Sequence, residues 1–131
     1  MLNAVPEGKL DFKPSKDSRS FKEVMLHIAQ ANYDFSSIIV SKQGTQPAKV
    51  ATKDEVVQAV AKSFDFLLEH IDELKSSDWE KEFPWGNRLE PSTTRTRVEI
   101  LSILKEHAAH HRGQTTVYLR LMGINPPEFV D

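Results

Sequence analysis

Three Ser or Thr residues, each followed by Glu three positions later, constrain the fold of this chain more than any other feature. A hydroxyl at the N-cap of a helix accepts a hydrogen bond from the backbone three residues on, and a Glu at that third position accepts one in return. An apolar pattern of helical period follows each pair, so the chain predicts three helices. The pairs are Ser20 with Glu23, Thr52 with Glu55, and Thr96 with Glu99.

The apolar positions predict which face of each helix points inward. The third helix is expected to run from Arg97 until Gly123, a glycine of the kind that ends helices, with Pro126 and Pro127 just beyond. Its length of about 26 residues corresponds to roughly 39 Å. The inward positions of the first two helices are Phe21, Val24, Met25, Ile28, Ala31 and Phe35, then Val56, Val60, Phe64, Leu67, Ile71 and Leu74.

Two connections rich in Gly, Pro and polar residues separate the predicted helices. The longer, SSDWEKEFPWGNRLEPSTT, also carries Trp79, Phe83 and Trp85, and we expect it to fold over an end of the helices. We therefore predict an all-α fold, most simply an up-down bundle, in which the long connections allow antiparallel or crossover neighbours. A length of 131 residues fits one domain spanning residues 1–131.

Composition and charge exclude several classes of function. With 17 Lys and Arg against 19 Asp and Glu, the net charge of −2 provides no basic field, so we expect no nucleic-acid partner. The absence of cysteine removes any thiol nucleophile of the protein's own and leaves His, Asp and Glu as metal ligands. The start MLNAVPEGKLDF lacks the features of a signal peptide, and no apolar run approaches the roughly 20 residues that span a bilayer. We expect a cytoplasmic protein with no membrane partner.

Histidines interrupt the inward face of the third helix. His107 and His111 are one turn apart on this face, so their imidazoles can bind the same ion. An imidazole on an inward face must be hydrogen-bonded or metal-bound, because leaving it unpaired costs about 1 to 3 kcal/mol. In steps of three and four the whole face reads Ile100, Leu104, His107, His111, Gln114, Tyr118 and Leu121.

The first helix offers a third ligand. His27 lies close to its apolar face, one turn from Ala31. Together, His27, His107 and His111 would give three neutral nitrogen donors from two facing helices and leave at least one open coordination position, as in catalytic sites. The alternative is that each histidine is a hydrogen-bonded structural residue, which is the interpretation favoured for His70.

Other polar residues near this face have two interpretations each. They can support the metal ligands through hydrogen bonds, or they can be solvated, locally hydrogen-bonded or, for the tyrosine, part of the core. Arg95 and Arg97 are interpreted either as a solvated helix start or as charges that steer an anionic substrate. The candidates for supporting the ligands are His110, Gln114, Asp34 and Tyr118.

Two stretches of the chain resemble the DinB/YfiT-like superfamily. HRGQTTVYLRLMGINPP, which begins at His111 and follows His107 by four residues, resembles the C-terminal helix signature of that family. LNAVPEGKLDFKPSKDSRSFKEVMLHIA is similar to the family's approach to its second helix and contains the first ligand histidine. The resemblance covers about half of the chain and implies a four-helix bundle in which His27, His107 and His111 hold a divalent metal ion.

The resemblance also implies a class of chemistry. Characterised relatives include transferases and isomerases that use a low-molecular-weight thiol such as bacillithiol or mycothiol. Zn²⁺ suits both imidazole and thiolate, and Ni²⁺ and Mn²⁺ are compatible with the ligand type. We therefore expect a metal-dependent transferase that activates a low-molecular-weight thiol towards a small-molecule substrate. The alternatives are a hydrolase that uses metal-bound hydroxide and a non-catalytic helical module for metal binding or interaction.

One departure from the family pattern affects the fold. Members begin with a full helix before the equivalent of LNAVPEGKLDF, whereas here a few residues precede Pro6. We therefore expect a four-helix bundle whose first helix is largely missing. Three amphipathic helices without a fourth leave an apolar groove, and such a patch predicts a homodimer of two-fold symmetry.

Overall fold

The computed structural model describes residues 1–45, 49–86 and 93–128. Three long helices dominate this part of the chain, and a small antiparallel sheet joins the second helix to the third. No helix within the described ranges is long and apolar enough to cross a membrane. The helices are α1 (Phe21–Val40), α2 (Lys53–Ile71) and α3 (Arg97–Leu121), and the strands are β1 (Glu82–Trp85) and β2 (Thr93–Thr96).

All three predicted helix starts are confirmed. At each start the Ser or Thr hydroxyl accepts a hydrogen bond from the backbone of the Glu three residues on, and that Glu accepts one from the N-cap backbone. The predicted end of α3 is confirmed as well, because Gly123 adopts a left-handed φ of 75°. The N–H of Gly123 bonds to the carbonyl of Arg120, and that of Ile124 bonds to the carbonyl of Leu119, which closes the last turn.

The predicted fold class needs a correction. The described residues contain three long helices, so a four-helix bundle is not confirmed, and the expected all-α fold also includes a small sheet. Phe83 and Trp85 are half-buried and alternate with exposed neighbours in β1, as expected of a strand. These rings and Trp79 pack against one end of the helical core, as expected for this connection. Residues 46–48 and 87–92 of the two connections lie outside the described residues.

The core consists of two apolar clusters along α1, which packs against both α2 and α3. A polar layer separates them, where the amide of Asn32 donates to the hydroxyl of Ser63 at 3.0 Å and where the histidines of α1 and α3 meet. The first cluster comprises Val5, Leu10, Phe21, Val24, Met25, Ile28, Val56, Leu119 and Met122. The second comprises Ile39, Val40, Leu67, Ile100 and Leu104.

The inward face of α3 follows the prediction as far as His111 and then shifts. Gln114 and Leu121, which were expected to face inward, are exposed, and burial continues instead at Thr115 and Leu119. The N-terminal segment causes this shift, because it packs beside the C-terminal half of α3. The hydroxyl of Thr115 contacts the sulfur of Met1 at 3.0 Å. On α2, the predicted inward residue Phe64 is also exposed.

Arg97 has neither of the two roles considered for it. Its side chain is buried, with 4% of its surface exposed, and therefore cannot steer a substrate. The guanidinium donates to the carbonyl of Ile39 at the end of α1, to the carbonyl of Asp78 and to the hydroxyl of Ser41. It also lies 4.6 Å from the centre of the Phe83 ring. Arg97 thus caps the C-terminal carbonyls of α1 and connects α1 to the sheet.

An apolar groove lies between α2 and α3, with α1 as its floor. Its volume is about 530 Å³, and Ile28, Val60, Phe64 and Ala108 are among the residues that line it. The Phe64 side chain is 42% exposed, and the next turn of α2 exposes 64% of Leu68. These side chains form the type of apolar patch that commonly marks an interface.

We propose that a second copy of the chain covers this groove. Light scattering should then show a dimer, and Phe64→Glu should shift the protein to a monomer, because the variant replaces an apolar ring of the interface by a charge whose burial costs free energy. Val98→Glu is the matched control, since Val98 is 46% exposed but does not line the groove. A wild-type protein that stays monomeric over a wide concentration range would contradict the proposal.

Candidate metal centre

The fold brings the three predicted ligand histidines together. His27 on α1 and His107 and His111 on α3 present their Nε2 atoms to one another. Nε2 of His107 lies 3.2 Å from Nε2 of His27 and 3.1 Å from Nε2 of His111. One nitrogen from each ring lies within 4.8 Å of the other two. The i, i+4 spacing places two of the rings on one face of α3, and the packing of α1 supplies the third.

The two Nε2 separations at His107, 3.2 Å and 3.1 Å, are close to those of ligands that share one bound ion. Imidazole nitrogens bind zinc at about 2.0–2.1 Å, and tetrahedral ligands of one ion then lie about 3.3 Å apart. Hydrogen bonds among the three rings would account for this arrangement of Nε2 atoms less well than a bound ion. Nε2 of a neutral imidazole carries either one hydrogen or one lone pair and pairs well with one neighbour, whereas Nε2 of His107 faces two. A cation would accept a lone pair from all three rings.

The surroundings of the rings favour the neutral form that a metal ligand requires. Burial lowers the pKa of His107 to about 4, and the neighbouring histidines add to the effect. Burial is also the main cause of the lowered pKa of His27, followed by the positive charge of Arg19. For His111, burial again lowers the pKa, although the hydrogen bond that its Nδ1 donates to Gln114 opposes the shift. These shifts all favour the neutral imidazole, the form that can donate a lone pair to a metal ion.

Gln114 fixes which nitrogen of His111 carries the hydrogen. Its Oε1 lies 2.7 Å from Nδ1 of His111, so Nδ1 donates and Nε2 keeps its lone pair towards the other two rings. The amide nitrogen of Gln114 lies 2.9 Å from Nε2 of His110. His110 itself is exposed, and it contacts the cluster through Gln114 and through the ring of His111, whose centre is 4.9 Å away. Gln114 and His110, two of the four residues considered as supports for the ligands, thus lie beside the histidine cluster.

The other predicted residues lie outside this chain of contacts. Asp34 is exposed and accepts a hydrogen bond from Gln30 at 2.6 Å. The hydroxyl of Tyr118 donates to the carbonyl of Arg19 at 2.8 Å, and its ring packs on the first apolar cluster. His70 on α2 bonds through Nδ1 to the carbonyl of Phe66, in agreement with the structural interpretation.

Sequence reasoning did not identify two aromatic side chains near the cluster. The Phe35 ring meets the His107 ring edge-on at 5.8 Å and stacks on Trp85 at 5.7 Å. Spacing on α1 predicted an inward Phe35, but its contact with a strand residue depends on the sheet.

Nδ1 of His107 is buried and has no hydrogen-bond partner among the described residues. His27 and His107 remain partly exposed, so the cluster is not sealed within the core.

Comparison with known proteins places this fold and its residues in a family. A DinB-like protein from Bacillus subtilis matches with a TM-score of 0.73 and 19% sequence identity over 98% of this chain and 85% of that protein. A DinB-like protein from Bacillus cereus matches with a TM-score of 0.78 and 18% identity over 99% of this chain and 86% of that protein. A search of curated proteins gave no match. The family model described as DinB family matches residues 1–130, and the chain therefore belongs to the DinB family.

Proposed function

We propose that this chain is a divalent-metal-dependent transferase that activates a low-molecular-weight thiol for attack on a small electrophile. The observation that carries the proposal is the convergence of the Nε2 atoms of His27, His107 and His111 in a partly exposed cluster. Three protein donors leave at least one position of a tetrahedral ion for an exogenous ligand. Structural zinc sites use four protein ligands, so this donor set favours a catalytic centre.

The residues of the chain have separable roles in this proposal. The ion is held by His27, His107 and His111, and Gln114 orients His111. The candidate ions are Zn²⁺ and Ni²⁺, with Mn²⁺ as a further candidate. When bound, the ion would lower the pKa of a coordinated thiol, so that the thiolate is available as the nucleophile at neutral pH. Phe35 packs edge-on against His107 and stacks on Trp85, so aromatic rings form one side of the site. The chain contains no cysteine, so the sulfur must come from a small molecule.

A cobalt-substituted protein tests this function directly. Titration with 2-mercaptoethanol should produce a sulfur-to-cobalt absorption band, and the zinc protein should then accelerate reaction of that thiol with 1-chloro-2,4-dinitrobenzene. In this reaction a carbon–sulfur bond forms as chloride leaves and the thiol proton passes to solvent. Chelation of the metal should abolish the acceleration. Absence of the band with ester hydrolysis present would favour a hydrolase, and absence of both would favour a non-catalytic metal-binding module.

Gln114→Leu should lower the affinity for Zn²⁺ by about 10-fold or more, because His111 loses the acceptor that fixes its hydrogen on Nδ1. Isothermal titration calorimetry measures the change. Gln114→Glu should restore the affinity, since a carboxylate also accepts from Nδ1. His110→Ala should have a smaller effect, because His110 contacts the amide nitrogen of Gln114. Equal zinc affinities for Gln114→Leu and wild type would contradict this role.

A further inference from the structure

A second cavity adjoins the histidine cluster and contains an arginine. Its volume is about 460 Å³, and it lies between the start of α1 and the last turns of α3. Arg19, Ser18 and Gln114 provide polar groups, and Val24 and Val117 provide apolar walls. Gln114 connects the cavity to the cluster, because the same amide that lines the cavity holds His111.

Arg19 is exposed at the rim of the cavity, and its guanidinium has no acidic partner in the described part of the chain. It forms none of the ion pairs found there, and no acidic side chain is among the described residues that line the cavity. Its backbone is fixed, since its carbonyl accepts a hydrogen bond from the hydroxyl of Tyr118. Arg19 lines the same cavity as Gln114, whose Oε1 lies 2.7 Å from Nδ1 of His111, and this shared wall places it next to the cluster.

The proposed metal ion and Arg19 would both be positively charged. A divalent ion on three neutral imidazoles keeps its full charge, and Arg19 adds a further positive charge beside it. The carboxylate of Asp34 does not line the cavity and is hydrogen-bonded to Gln30. An anion in the cavity would offset the repulsion between the ion and Arg19. The planar guanidinium matches a carboxylate, with which it can form two parallel hydrogen bonds.

We propose that this cavity binds the carboxylate of an anionic small molecule, with Arg19 as its counter-ion, while the rest of the molecule extends towards the histidine cluster. The inference rests on the proposed function, because it takes the cluster as the reactive centre. It narrows the ligand to a carboxylate-bearing compound, which can be either the thiol or the electrophile. Arg19 is then a residue that determines specificity, and it has no role in holding the metal.

The first test uses metal-free protein, so that it is independent of the proposed function. Titration with succinate should give saturable NMR shifts of the Arg19 side-chain N–H and of the Gln114 amide. Arg19→Gln should weaken succinate binding by about fivefold or more, as expected for loss of a charge-assisted pair. Lys16→Gln is the matched control, because it removes an exposed positive charge of the same segment that does not line the cavity. Unsaturable shifts, or equal binding by Arg19→Gln and wild type, would overturn the inference.

The second test uses the cobalt protein and two thiols that differ in a carboxylate. The sulfur-to-cobalt band should appear at about fivefold lower concentration with 3-mercaptopropionate than with 2-mercaptoethanol, and Arg19→Gln should remove this preference. A preference that survives in Arg19→Gln would mean that the carboxylate binds elsewhere and would overturn the inference. If succinate binds through Arg19 but neither thiol gives a band, the inference stands and the proposed thiol chemistry fails.

Discussion

His107→Ala should lower the affinity for Zn²⁺ on the order of 100-fold or more, because two imidazoles in a preorganised site bind far more weakly than three. His107 is the central member of the histidine cluster, since its Nε2 contacts the Nε2 atoms of both His27 and His111. Calorimetric titration of metal-free protein with zinc measures the loss, and elemental analysis of the purified variant checks it.

His70→Ala is the matched control for this prediction. His70 is also a partly buried helical histidine, but it bonds to the carbonyl of Phe66 and lies outside the cluster. Its replacement should leave the zinc affinity unchanged. Full zinc occupancy in His107→Ala, or an equal loss in both variants, would mean that the cluster is not the metal site.

Arg97→Ala should lower the free energy of unfolding by about 3 kcal/mol, because it leaves the buried carbonyl of Ile39 and the partly buried carbonyl of Asp78 without their donor. The contact with the Phe83 ring is lost as well. Urea denaturation followed by circular dichroism measures the change. Arg97→Lys should recover a part of the stability, since an ammonium group cannot reach three acceptors in the fixed geometry of a guanidinium.

Arg120→Ala provides the comparison for Arg97→Ala, because Arg120 is exposed in the last turn of the same helix. Surface substitutions of this kind change stability by about 0.5 kcal/mol or less. A loss of similar size in both variants would show that Arg97 contributes no more than an ordinary surface charge.

Local sequence patterns predicted the helix starts and the shared face of His107 and His111, because the interactions concerned span three or four residues. A capping box needs a hydroxyl and a carboxylate three positions apart, and all three boxes formed. His107 and His111 share a face for the same local reason. His27 could be added because α1 needed to pack its apolar face on α3. Metal binding by these residues stays a prediction.

Contacts between distant parts of the chain were not predictable in this way. Arg97 was interpreted as a surface residue because its acceptors at Ile39 and Asp78 lie 58 and 19 positions away. The pairing of β1 with β2 was missed because Glu82–Trp85 was interpreted as part of a loop, although Phe83 and Trp85 alternate as in a strand. The shift of the inward face at Gln114 depends on the N-terminal segment, which no pattern on α3 could show.

A crystal structure of the zinc-loaded protein, with anomalous diffraction data collected at the zinc absorption edge, tests the central claim most directly. We predict one ion per chain, bound by the Nε2 atoms of His27, His107 and His111 at about 2.0–2.1 Å, with a fourth position that no protein side chain fills. An anomalous peak elsewhere in the molecule, or a fourth protein ligand that closes the site, would contradict a catalytic metal centre built on these histidines.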